Sequence, residues 1–328
     1  MATTRLSDII VPEVFAPYAL RQTLETNRYI LSGAVAVDSV LSSFLAGGGS
    51  TYEMPKFVTP EDDYAVSSDD PAVDGVPIGV TANADVAVRL SRNNHYSSMA
   101  LTRELAGADP LSAVVSQVAY LTNKKRESEM LSQLTGLFDT ALSGLVSDIA
   151  NEDGDNATAT EVFNKDTFIG ATGGFADRLS PNTIIICHSD IYRKMQMETT
   201  LVSQTIPVLG GIDIEIPVYL GHPVVVDDRV GKVAGGTSGF KYTTYIVNPG
   251  TIGIGSGLYD TLAYEDEKSG NGAGQELLRI RDSFSFHVAE TAWVGAGVNP
   301  DQTALATGSN WGLVGAGKNV GMAKLVSN

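Results

Sequence analysis

The run DPLSAVVSQVAYLTNKKRESEMLSQLTGLFDTALSGLVSDI, residues 109–149, decides the fold. Asp109 is a good N-cap and Pro110 suits the first helical position. Leu111, Val114, Val115, Val118 and Leu121 recur at helical spacing. After a polar turn the stripe resumes at Met130, Leu131, Leu134, Leu137, Phe138, Ala141, Leu142, Leu145, Val146 and Ile149. That i, i+3, i+4, i+7 pattern predicts a helix with one apolar face. Unbroken to Ile149 it would be roughly 60 Å long at ~1.5 Å per residue. Gly136 and Gly144 each cost about 1 kcal/mol relative to Ala, so a kink or an end near Gly144 is expected. A helix longer than the usual globular length reads as a spine.

Upstream, residues 1–48 form an irregular leader in which Ile9, Ile10, Val11, Val14 and Phe15 are interrupted by Pro12 and Pro17. A short helix over Pro17–Ile30 is expected, and Gly47-Gly48-Gly49 breaks the chain after it. A leader of this kind builds no core of its own, so it should lie against its own body or a neighbour. Residues 49–104 read as an extended hairpin. Val86, Val88 and Leu90 alternate with Ala87, Arg89 and Ser91, the period of a half-buried strand. Thr51–Val58 is its expected partner, confined to a sheet edge by Pro55. From Phe57 to Val88 the chain carries Glu61, Asp62, Asp63, Asp69, Asp70, Asp74 and Asp85 and no Lys or Arg. Such a stretch is either a solvated loop or an arm that docks on a basic patch of another subunit.

Downstream, the turn-rich stretch Asn151-Glu152-Asp153-Gly154-Asp155-Asn156 opens a compact mixed α/β region over 151–274. Strands are expected at Thr183–Cys187, Ile212–Tyr219, Pro223–Val226 and Tyr242–Val247, with a short helix Ser189–Met197 capped by Ser189. Residues 275–328 supply returning strands at Leu277–Ile280 and Phe284–Val288, then a Gly-rich tail. The tail's apolar end, Val320–Val326, should pair into a sheet.

The 328 residues are 43% apolar and 18% charged, the profile of an ordered globular chain. A net charge of −16 argues against gripping nucleic acid, which requires Lys and Arg to neutralise phosphates. The single cysteine, Cys187, has no disulfide partner and sits in an apolar run, as a buried inert thiol does. No signal peptide and no apolar run near the ~20 residues needed to cross a bilayer is visible. The four histidines, His95, His188, His222 and His287, form no metal-ligand spacing, so no cofactor and no metal are expected. His188-Ser189-Asp190 holds triad residue types side by side, where relay geometry is not available. Gly253-Ile254-Gly255-Ser256-Gly257 lacks the spacing of a phosphate loop and reads as a flexible strand end. Asp227-Asp228, or Asp153 with Asp155, could offer oxygens to Ca²⁺, but no EF-hand loop follows and solvated turns are the default.

The order leader, hairpin arm, spine helix, compact region and returning strands resembles the Hong Kong 97 fold of tailed-phage major capsid proteins. Three segments carry the resemblance: Pro110–Val115 through Leu131–Phe138, the strand-to-helix run Pro181–Tyr192, and the tail Ala306–Val314 followed by Lys318-Asn319-Val320-Gly321. The resemblance implies an α+β capsid fold. In it residues 105–150 and 275–328 form a peripheral domain, 151–274 an axial domain, and 49–104 a loop lying over the adjacent subunit. It implies a non-enzymatic subunit that self-assembles into hexamers and pentamers of an icosahedral head, made in the host cytoplasm and residing in the virion. Its implied partners are copies of itself, a separate scaffolding protein, a portal and, as an open option, a decoration protein. Double-stranded DNA is enclosed without sequence-specific binding, and no membrane is involved. Lys56 is the arm's only lysine and lies near its base, so no covalent crosslinking is expected. The candidate assembly contacts are the arm acids Glu61, Asp62, Asp63, Asp69 and Asp70 against Lys124, Lys125 and Arg126 of a neighbour. The rival readings are a bacterial nanocompartment shell of the same fold, a hydrolase built on the compact region, and another phage part such as a decoration or tail protein.

Overall fold

The computed structural model describes residues 28–58, 66–67, 69–70, 72, 74, 79–101, 110–198, 202–207, 213–266 and 274–328. The expected leader helix lies almost wholly outside them; its described end is α1, Arg28–Leu31. Asp109 also lies outside. Helices α2 (Ser39–Ala46), α3 (Pro110–Asp139), α4 (Lys165–Thr172), α5 (Ser189–Glu198) and α6 (Gln302–Ala306) follow in order.

The spine α3 runs 30 residues, about 45 Å. Its inward stripe is Met130, Leu131, Leu134, Leu137 and Phe138, packed on Phe284, Phe286, Trp311 and Met322. It stops at Asp139, ten residues before the expected limit, where the Leu142 N–H reaches back to the Leu137 carbonyl. Val146, read from spacing as helical, instead opens strand β5 (Val146–Asp148), parallel to β16 (Met322–Ser327). Long-range pairing overrides the helical period there, because both options bury Val146 and Gly144 weakens the helical one. Gly136 does not break α3: a Cβ there would lie 2.2 Å from the Leu305 carbonyl and 2.9 Å from Trp311 Nε1.

Three sheets flank the spine. In the first, β1 (Val35–Val37), β12 (Ile252–Asp266), β13 (Gln275–Val288) and β4 (Leu90–Met99) lie side by side in that order. The two expected strands Leu277–Ile280 and Phe284–Val288 are thus one, bridged by a buried Asp282. The second sheet runs β5-β16-β11-β6-β9-β8-β7, with β10 (Lys232–Ala234) beside β11 (Phe240–Val247). Its other members are β6 (Ile184–Cys187), β7 (Val202–Pro207), β8 (Asp213–Tyr219) and β9 (His222–Val226). Successive residues of β6 enter opposite cores. Ile184 and Ile186 face the spine side, while Ile185 and Cys187 join Phe168, Phe175 and Ile191 under α4 and α5. A strand buried on both faces is uniformly apolar for that reason. In the third sheet β2 (Thr51–Phe57) pairs with β3 (Ala82–Val88) from Thr51↔Val88 to Phe57↔Ala82. Beyond β3 come β14 (Thr291–Trp293) and β15 (Trp311–Leu313). Pro55 sits on the edge strand β2, where its missing N–H costs no ladder bond.

The expected boundary at residue 274 does not coincide with a change of sheet. β12 leaves the compact region to pair with β13, and the C-terminal β16 enters it between β5 and β11. The chain crosses between the two bodies where the Asn248 N–H donates to the Gly321 carbonyl. Gly321 has φ +71°, a conformation L side chains rarely adopt, so the turn requires glycine.

Candidate assembly surfaces

The described β2–β3 pairing ends at Phe57↔Ala82, and the chain between these two residues is the arm read from the sequence. Phe57, Val66 and Val80 are exposed on it, as are Asp69, Asp70 and Asp74; Glu61, Asp62 and Asp63 lie outside the described residues. Asp85, read as part of the acidic stretch, is instead buried at the arm's root. Lys56 Nζ lies 2.8 Å from Asp85 and 2.7 Å from Glu290, the Glu290 N–H donates to Asp85 at 3.0 Å, and His287 Nε2 is 3.5 Å away. Burial works against the Asp85 carboxylate, but the neighbouring His287 ring, the Lys56 ammonium and the Glu290 backbone N–H outweigh it and hold its pKa below the ordinary range. A depressed pKa makes the contribution full above the unfolded value of about 3.9 and progressively lost as pH falls through the folded value. The thermal midpoint of the isolated subunit should therefore fall with acidification below about pH 4, and less steeply in Asp85→Asn. Identical slopes for the two proteins would remove Asp85 from the acid response.

The basic triplet does not form one outward patch. Arg126 turns inward, bonding both oxygens of Asp282 at 2.8 and 2.5 Å with its guanidinium over the Phe284 ring. Lys125 lies 3.4 Å from Glu129, the expected i, i+4 pair, and reaches Gln302. Lys124 lies over the Tyr120 ring; both lysines remain exposed. Arg126 was legible as a charge, but its buried partner, 156 residues away, was not.

A second junction escaped the sequence reading. Arg229 bonds Asp227 and Glu127, each at 2.6 Å, and donates to the Lys124 carbonyl, while the Tyr29 hydroxyl donates to Asp227 at 2.6 Å. Leader, spine and second sheet meet there. Burial opposes the Asp227 carboxylate, yet Arg229 and Tyr29 bring its pKa below the usual range; burial and Asp227 push the Tyr29 hydroxyl well up. The partners stand 102 and 198 residues apart, so no local spacing announces them.

The residues that imitate chemistry have structural work. His188, not Ser189, caps α5: its Nδ1 accepts the Asp190 N–H and its carbonyl the Tyr192 N–H, making Ser189 the first helical residue. Asp228 accepts the Ser189 N–H, so it too is a helix-end acceptor. Asp153 bonds Ser238 and Asn156. Burial pushes the Cys187 thiol up. The Gly253–Gly257 run is not a loose strand end. Helix α2 lies on it so closely that a Cβ on Gly255 would sit 2.6 Å from that of Leu41, and one on Gly257 2.8 Å from that of Leu45.

A family model described as Gp13-like, major capsid protein 13-like, matches residues 86–320. The chain is 32% identical over 320 residues to the major capsid protein of Bacillus phage SPP1, covering 95% of this chain and 94% of that one. The capsid of cyanophage P-SCSP1u superposes with a TM-score of 0.58 at 11% identity, over 100% of this chain and 95% of that one. An encapsulin of Synechococcus elongatus PCC 7942 does so at 0.54 and 11% identity, over 95% and 91%. At such identities the structural matches speak for the fold alone.

Proposed function

This chain belongs to the Gp13-like family of major capsid proteins, and from that premise we propose how its surfaces build a shell. It has the Hong Kong 97-like α+β fold and is a structural subunit of a phage head rather than an enzyme. The nanocompartment reading shares only the fold, at 11% identity, against 32% to a phage coat protein.

The observation that carries the proposal is the arm, rooted in a charge cluster around the buried Asp85 and exposing Phe57, Val66 and Val80 to solvent. An isolated hairpin is marginal in water, so an arm of this kind gains its stability from a partner surface. Copies join as hexamers and pentamers, each arm lying over the adjacent subunit. Its acids meet Lys124 and Lys125 of that neighbour, while Arg126 stays with Asp282. Exposed pairs of this type contribute at most ~1 kcal/mol each, so they set register and persist by repetition around the shell. The spine and first sheet serve as the peripheral body, and the second sheet, closed by β5 and β16, as the axial body. A separate scaffolding protein and a portal, with a decoration protein as an open option, complete the set of partners, with double-stranded DNA enclosed and not gripped by an acidic chain.

Negative-stain electron microscopy of the full chain, expressed alone and with its scaffold, is expected to show closed shells or capsomer rings. Lys124→Glu with Lys125→Glu should lower shell yield or alter shell geometry. Persistent monomers of the unmodified chain under both conditions would overturn the shell reading; unaltered shells from the double variant would overturn only the charge pairing.

A further inference from the structure

Every arginine whose side chain is described has an acceptor, except two near neighbours on β13. Arg89, Arg92, Arg126, Arg178, Arg193 and Arg229 each donate to a carboxylate or a carbonyl. Arg279 and Arg281 make no hydrogen bond or ion pair with any described residue, and the Arg279 Nε is buried without an acceptor. Register sets the two on one face of the first sheet: Arg279 stands between Leu262 and His95, and Arg281 between Asp260 and Asn93. Asp282 and Phe284 meet Arg126 of the spine, so the odd-numbered residues of β13 face the other way. Helix α2 covers that side only where it seats on Gly253, Gly255 and Gly257. Beyond it Arg281, Asn93 and His95 are exposed, as are Leu262 and Tyr264.

We propose that this open face docks an extended acidic segment of a separate protein, with carboxylates on Arg279 and Arg281 and apolar side chains on Leu262 and Tyr264. The inference rests on the shell-building reading only in that docking takes place on assembled shells. A buried guanidinium N–H without an acceptor is destabilising, and a planar anion with two oxygens is the group that relieves it. The two arginines stand two residues apart on one strand, about 6.8 Å. Acids at alternate positions of an extended segment have the same repeat and meet both. On a chain of net charge −16, two unneutralised arginines side by side give an acidic partner its foothold on a surface that otherwise repels it. The same face of a second copy is excluded as the occupant, because a symmetric pairing would set arginine against arginine. Leu262 and Tyr264 favour a protein segment over nucleic acid, since a phosphate backbone would lose water against them without an apolar partner to offer. Asp260, across from Arg281, further disfavours a dense polyanion.

Purified shells of the unmodified chain are titrated with a fluorescein-labelled synthetic peptide in which glutamate alternates with valine over about seven residues, the length of a typical strand. The expected result is salt-sensitive binding, at least tenfold weaker when glutamine replaces glutamate in the peptide. Shells of the Arg279→Gln, Arg281→Gln double variant should likewise bind at least tenfold more weakly, and unchanged affinity there would place the peptide elsewhere. Binding to free subunits but not to shells would mean that a neighbouring copy already covers the face. Tighter binding of a DNA duplex than of the peptide would make the face a phosphate seat. Each of these three outcomes overturns the proposal, as does the absence of binding, and none touches the shell reading, because the shells themselves have formed. If the double variant does not assemble, modification of Arg281 by phenylglyoxal in unmodified shells decides. The peptide should slow that reaction at least threefold, and an unchanged rate overturns the inference.

Discussion

Glu129→Ala is expected to destabilise the subunit by about 3–5 kcal/mol, the range for removing one partner of a buried ion pair. The Glu129 side chain is fully buried on the spine, with Oε1 2.7 Å from Arg92 Nε and 3.4 Å from Lys125 Nζ. Arg92 rises from β4 and also donates to the Pro300 carbonyl at 2.6 Å and Asn299 Oδ1 at 2.8 Å. One guanidinium therefore binds spine, first sheet and the segment before α6. Without the carboxylate that cation keeps its carbonyl acceptors but loses its counter-charge in a site only one-fifth exposed. Glu129→Leu combined with Arg92→Met should recover most of the loss, since an apolar pair of similar volume escapes the desolvation penalty. Urea midpoints of the three subunits, at constant m, measure this. A double variant as unstable as Glu129→Ala would point to lost packing and not to an orphaned charge.

Gly136→Ala and Gly144→Ala form the second test, the same chemical change at two glycines that look alike in sequence. At Gly136 the new methyl would stand 2.2 Å from the Leu305 carbonyl, a backbone atom without room to yield, and 2.9 Å from the indole nitrogen of Trp311. That nitrogen donates to the same carbonyl at 2.8 Å, and Trp311 packs edge-on against Trp293. Overpacking of this kind costs roughly 1–3 kcal/mol, which exceeds the gain of about 1 kcal/mol in helix propensity. The expected outcome is a lower unfolding midpoint and fewer shells. At Gly144 nothing lies within 4 Å of the added carbon, so Ala should be neutral or stabilise by about 0.4–1 kcal/mol. Equal responses at the two sites would mean that close approach of the α6 segment is not what Gly136 serves.

Local signals carried much of the architecture. The spine's apolar stripe, the β2–β3 hairpin with Pro55 on its edge and the Ile184–Cys187 strand are all periodicities or propensities acting within a dozen residues. The assembly surfaces were legible only as charge: the arm acids stand out by composition, but neither the root cluster around Asp85 nor the inward turn of Arg126 does. The same holds for glycine. Gly253–Gly257 looks like slack in one dimension and proves to be the seat of α2 in three.

By itself, then, the sequence determined the order of elements and the separation of apolar from solvated faces, since 3.6- and 2-residue periods are consequences of local backbone geometry. Tertiary structure alone decided where α3 stops, which sheet receives Ile252–Asp266 and Met322–Ser327, and which carboxylate each cation meets. Several of those outcomes depend on pairings between residues far apart in the chain, such as Arg126 with Asp282 and Tyr29 with Asp227. A strand edge accepts a partner by hydrogen bonding and burial, and a buried cation needs whichever counter-charge the fold brings within 3 Å; neither preference is written in the neighbouring residues.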